Sequence, residues 1–176
     1  MQANLIVNFV LFQVGWFACV LGGAWLHPVV GAGIALAIIG LHIWRAARPE
    51  RELYLVLLAM LIGGVWDSVL VWRHWLEYPA GTLMANTAPY WIVVMWGLFA
   101  TTLNVSLRWL KERLVLGALL GAFAGPLAYF GGARLGAVQF IDPGTVLVAL
   151  GIGWAVFTPL LVTLSRRFDG YPAPAR

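Results

Sequence analysis

Six apolar stretches, at about 5–25, 28–44, 53–72, 90–107, 114–133 and 144–164, alternate with short polar connections along the chain. Each is long enough, or nearly so, to cross a hydrocarbon core of ~30 Å at ~1.5 Å of rise per helical residue. The pattern predicts an all-α integral membrane protein. It is a compact bundle of six transmembrane helices, with no extramembrane domain and residues 1–176 forming one unit. The apolar run up to Trp25 is longer than a signal-peptide core, and Met1–Asn4 carries no Lys or Arg, so the first stretch reads as a span rather than a cleaved leader.

The connections then orient the bundle. With the N-terminus inside, Arg45, Arg48, Arg51, Arg108, Lys111, Arg113, Arg166, Arg167 and Arg176 fall on the cytoplasmic side, and only Arg73 and Arg134 fall outside. Such an imbalance over short loops predicts that both termini are cytoplasmic. The same placement explains the net charge of +4 as a topology signal beside anionic headgroups, with no nucleic-acid partner expected.

Local chemistry at the boundaries is also readable. His27-Pro28 marks a tight turn, and Arg48-Pro49 opens helix 3 with Glu50 and Glu52 at its positive end. Asn86 or Thr87 is expected to cap helix 4, with Pro89 just inside, and Asp142 to cap helix 6. Arg108–Arg113 must turn between spans 4 and 5. Trp75, Leu76 and Tyr78 make the long outer loop amphipathic, suited to lying on the membrane surface. Trp25, Trp44, Trp72, Trp75, Trp91 and Trp109 fit an aromatic belt. In span 5, Gly117, Gly121 and Gly125 recur every four residues, a small-residue ridge that lets another helix approach closely; Gly15, Cys19 and Gly22 do the same in span 1.

Polar groups within the spans are the candidates for chemistry, because a charge at mid-bilayer costs about 2.5–3.5 kcal/mol on insertion scales. Of seven carboxylates, Asp67 alone is expected well inside a span. His74 lies on the same helical face, and Arg73 and Arg134 sit near the outer boundary, so Asp67, His74, Arg73 and Arg134 form the first candidate set. One reading is an ion pair that locks helices together. The other is an outward-facing site for an anionic or proton-exchanging ligand, with catalysis unassigned. Asn8, Gln13, His42, Thr101 and Asn104 form a second layer in the cytoplasmic half, either interhelical glue or a ligand-binding cavity.

Several chemistries lack their residues. His27, His42 and His74 lie at different levels, unlike the histidine clusters of a membrane di-iron enzyme or a paired haem site. No nucleophile elbow, zinc-protease helix or phosphate loop occurs, and no acidic cluster suits Mg²⁺. No metal site is expected and no cofactor is indicated.

The stretches that hold the polar groups also carry a resemblance. Asn8-Phe9, Phe12-Gln13 and Gly15–Gly22, then Trp66-Asp67-Ser68, Phe99–Leu110, Gly125–Tyr129 and Gly132–Gly136 resemble an uncharacterised family of small bacterial inner-membrane proteins, a domain of unknown function. The resemblance implies a multi-pass protein of the bacterial inner (cytoplasmic) membrane. Genes of that family often lie near cyclopropane-fatty-acid-synthase-like genes, which implies a link to membrane-lipid modification or envelope stress. It carries over no catalytic residue.

Three functions follow as expectations. The first is a lipid-associated protein, accessory subunit or enzyme, with membrane lipids as partners. The second is a small transporter or solute-binding membrane subunit. The third is a structural protein docking a larger membrane partner or a second copy of itself. A cavity open sideways to lipid favours the first, one open only at the outer face favours the second, and a closed dry core favours the third.

Overall fold

The computed structural model describes residues 2–171. Its elements are α1 (Gln2–Ala24), α2 (Pro28–Arg45), α3 (Pro49–Trp72), β1 (Leu76–Glu77), α4 (Tyr90–Leu103), a 3₁₀ turn (Arg108–Glu112), α5 (Leu114–Arg134), β2 (Gln139–Phe140) and α6 (Pro143–Arg167). All α-helices but α4 are long and apolar enough to cross a membrane. Connections alternate between two ends. One end carries the arginine-rich links and is called the basic end; the other is the far end.

Helix α4 is shorter than the span expected at 90–107. Its last helical residue is Leu103, and Asn104 caps it. The Asn104 side chain is committed to partners across the bundle, so the chain turns there, with Leu107 N–H closing back on the Thr102 carbonyl at 2.8 Å. What α4 lacks in length it has in burial: Trp91, Val94, Trp96, Gly97, Leu98, Thr101 and Leu103 are among its buried residues. It is the central post. Helices α1, α2 and α3 pack on it, while α5 packs chiefly on α6.

Close approach depends on glycine where a backbone or ring occupies the place of a side chain. A Cβ on Gly31 would lie 2.3 Å from the Ala18 carbonyl oxygen, and one on Gly121 would lie 2.3 Å from the Trp154 carbonyl oxygen. The ridge expected in span 5 is therefore used at Gly121, and at Gly125 against the Trp154 ring, whereas Gly117 has ordinary clearance.

The outer surface is apolar. Val29, Val115, Phe123 and Val148 are each more than half exposed. Aliphatic surface of this extent on helices of spanning length suits hydrocarbon surroundings rather than water. Trp25, Trp44, Trp72 and Trp109 are exposed near helix ends, as an aromatic belt requires. Trp91 departs from that expectation. It is buried, with its ring N–H donated to the Ala80 carbonyl at 2.9 Å.

At the far end three helices stop in the same way. Leu26 (φ 62°), His74 (φ 54°) and Gly136 (φ 87°) take left-handed backbone, and the N–H groups of His27, Trp75 and Ala137 reach back to Gly22, Leu70 and Gly132. This is the Schellman stop, which satisfies otherwise orphaned carbonyls. Only Gly136 has the residue that makes it cheap. Asp142 caps α6 as expected, accepting from Thr145 N–H at 3.2 Å. Helix α4 differs from expectation: Pro89 itself is the N-cap, and Ser68 Oγ accepts the Ala88 N–H at 3.0 Å. The long loop also folds inward instead of lying flat. Leu76 is fully buried, and β1 pairs antiparallel with β2, Leu76 opposite Phe140.

Candidate functional site

A groove of about 550 Å³ runs between the α1/α4 side of the bundle and the α5/α6 hairpin. It is half-enclosed. Its walls reach from Leu107 and Leu110 near the basic end, past Phe12, Gln13 and Trp16 of α1 and Leu120 and Ala124 of α5, to Tyr78 and Val138 at the far end. Helices α1 and α5 line it without packing closely on each other, and Trp16 approaches Gly131 at the distance of ordinary contact. The groove's lining is almost wholly apolar and aromatic. Two buried polar atoms in the wall, Trp154 Nε1 and Thr158 Oγ1, have no hydrogen-bond partner among the described residues.

Asp67 stands behind the far end of this groove. It is fully buried and faces the bundle interior, as energetics required. Its partners are not the expected basic groups. Tyr129 Oη donates to the two carboxylate oxygens at 2.7 and 2.9 Å, Tyr78 Oη donates to Oδ1 at 2.9 Å, and Trp96 Nε1 donates to Oδ2 at 2.7 Å. Tyr78, Trp96 and Tyr129 all line the groove. Gly63, one turn below Asp67, gives the Trp96 ring its seat: a Cβ there would lie 1.9 Å from Trp96 Cγ. Trp96 then stacks on Trp154 at 4.5 Å between centroids.

The other members of the first candidate set lie elsewhere. Arg73 sits over the Trp75 and Trp72 rings at 5.2 and 6.0 Å, a cation–π contact at the surface. His74 is exposed and serves as the left-handed stop of α3, where no side chain need reach inward. Arg134 is exposed at the end of α5. The expected ion pair is replaced because the loop after β1 brings a tyrosine to the carboxylate, which sequence spacing does not reveal.

The second candidate set divides in three. Asn8 Nδ2 donates to the Thr101 carbonyl at 3.1 Å and Asn8 Oδ1 accepts from Ser106 Oγ at 2.7 Å, joining α1 to the turn after α4. The Thr101 hydroxyl itself bonds within its own helix, to the Leu98 carbonyl. Gln13 stands apart in the groove wall. His42 and Asn104 meet on Glu52, at 2.7 and 2.6 Å, and Gly170 N–H adds a third bond at 2.7 Å.

Glu52 is fully buried, so Asp67 is not alone inside. The expectation for Glu52 was a helix-dipole role at the start of α3; the segment after α6 folds over it and removes it from solvent. Around it Lys111 Nζ bonds Asn104 Oδ1 and Asp169, and Arg108 bonds Asp169 and the Tyr171 carbonyl. Burial alone would raise the Asp169 carboxyl, but the hydrogen bond and charge of Lys111, with Arg108, hold it below the ordinary carboxylate range. Each Glu52 oxygen is satisfied within the bundle, so this cluster ties the segment just after α6 to α2, α3 and α4.

Five of the helices are long and apolar enough to cross a membrane, and the apolar outer surface suits a multi-pass helical membrane protein. Residues 5–160 match a family described as protein of unknown function (DUF2878), and the chain belongs to that family. No curated protein and no solved structure matches it.

Proposed function

We propose that this protein binds the hydrocarbon tail of a membrane amphiphile in the groove between α1 and α5, acting in lipid metabolism or envelope maintenance at a bacterial cytoplasmic membrane. The observation that carries the reading is the shape of the groove: half-enclosed, lined by apolar and aromatic side chains, and bordered by two helices that do not close on each other. A tail can enter such a slot from the bilayer without crossing water. Its volume falls within the usual ~300–1,000 Å³ of ligand pockets. Phe12, Trp16, Phe99 and Trp154 supply rigid contact area at small entropic cost. A closed dry core would have favoured the docking reading instead.

The orientation proposed with it puts the basic end, and both termini, in the cytoplasm. Single cysteines at the exposed positions Glu112 and Met84, each made in a Cys19→Ala background, test this: only the Met84→Cys protein is expected to label from outside in intact cells.

The groove is tested by photolabelling. Protein in phosphatidylglycerol nanodiscs is irradiated with a diazirine-bearing twelve-carbon alcohol, and the adducts are mapped. Adducts on α1, α4 and α5 residues of the groove are expected, and Ala124→Trp, which places a large ring in the groove wall, should abolish them. Labelling spread over lipid-facing residues and untouched by Ala124→Trp would refute the reading.

A further inference from the structure

We propose that the far end of the groove is an ammonium-binding subsite, taking the head of a single-chain cationic amphiphile whose tail lies in the groove; this rests on the groove reading above. The first observation is a buried carboxyl group without a counter-charge. Asp67 is fully buried, three donors and no basic group face its two oxygens, and no described Lys, Arg or His forms an ion pair with it. Trp96 Nε1 can only donate, so Oδ2 accepts, and the two tyrosine hydroxyls are placed to donate to the ionised carboxylate. The missing positive charge is what a ligand would bring.

The second observation is the direction of the hydrogen bonds. Tyr78 and Tyr129 border the groove, and each spends its single proton on Asp67. Their oxygens keep lone pairs only, and donation to a carboxylate polarises them further. A head with N–H or N–CH₃ groups is attracted there, while phosphate or carboxylate meets lone pairs with a negative charge behind them. Trp96 and Trp154 add aromatic surface, which favours cations. The anionic-ligand reading depended on Arg73 and Arg134, and neither reaches the site.

The third observation is depth. Asp67 lies five residues before Trp72, the end of α3, or ~7.5 Å along the helix. A phospholipid ammonium sits outside its phosphate and above this level. A single-chain amine places its nitrogen directly on its tail and can descend to it.

The test is displacement of the alcohol photoprobe in phosphatidylglycerol nanodiscs by dodecylamine, dodecyltrimethylammonium, dodecanol or dodecyl phosphate. Wild type, Asp67→Asn and Tyr129→Phe are compared, so enrichment of cations at the anionic surface cancels. Both dodecyl cations should displace the probe from wild type at concentrations about tenfold lower than from either variant, and dodecanol should differ by less than about twofold. Tyr129→Phe keeps the test alive if Asp67→Asn does not accumulate. Equal displacement of wild type and variants by the cations, with groove labelling intact, overturns the subsite and leaves the groove. Absence of groove labelling in wild type removes both. Replacing half the lipid by phosphatidylethanolamine should leave dodecylamine displacement unchanged; a shift as large as that caused by free amine would overturn the single-chain assignment.

Discussion

Gly63→Ala adds one methyl group, and its cost can be worked from the structure. The new Cβ would lie 1.9 Å from Trp96 Cγ and 2.0 Å from Cδ2, far inside contact distance. The indole is not the free end of a flexible chain. It is clamped between Asp67, at 2.7 Å from Nε1, and the Trp154 ring stacked on it at 4.5 Å. Overpacking of a filled core costs about 1–3 kcal/mol. Loss of a hydrogen bond to a buried charged group costs about 1.5–3 kcal/mol. The two add to about 2.5–6 kcal/mol, because moving the ring enough to relieve the clash breaks the bond as well. Gly33→Ala is the control, since a Cβ there meets nothing within 4 Å. It should be neutral, or gain up to about 1 kcal/mol from helix propensity. Reversible unfolding by SDS in mixed micelles, followed by far-UV circular dichroism and tryptophan emission, measures both. A Gly63→Ala protein within about 0.5 kcal/mol of wild type would show that Trp96 is not held against Asp67 as described.

Three further outcomes are expected. Gly121→Leu should prevent stable accumulation in the membrane or lower stability by several kcal/mol, because Trp154 backbone and the Thr158 side chain occupy the space; wild-type expression and melting would refute it. Leu26→Gly and His74→Gly should each stabilise the protein by about 1 kcal/mol in the same unfolding assay, since both residues sit in left-handed backbone that glycine adopts without steric cost. Asp169 makes stability pH-dependent: its folded value lies below its unfolded one, so the contribution is full above the ordinary carboxylate range and is lost as pH falls through the depressed value. Asp169→Asn should therefore flatten the acid limb of a stability–pH curve, and an unchanged limb would exclude the pairing with Lys111 and Arg108.

How much of this was legible in advance follows from the range of the forces involved. Apolar runs of spanning length, proline-opened helices and the Asp142 cap depend on neighbours within a turn or two, and each was readable by position. The Gly121 contact was readable too, because only small residues allow helices to meet closely in a membrane. That Asp67 must face inward follows from the cost of a charge in hydrocarbon, whatever its partners.

The partners themselves were not legible. Tyr129 lies in the sequence 62 residues from Asp67, Trp96 lies 29 away, and Asn104 and Gly170 reach Glu52 from 52 and 118 positions off. A local reading assigned Glu52 to a helix dipole and His74 to a carboxylate, since those were the groups in reach along one helix. The amino-acid sequence by itself determined the all-helical class, the number of helices and where most of them begin and end, because hydrophobic length and capping act locally. The tertiary structure alone decided which helix stands at the centre, that α1 and α5 fail to close on each other, and that tyrosine and tryptophan rather than arginine surround Asp67. Those outcomes depend on how far-separated side chains fill one shared volume, and no spacing along a single helix encodes that.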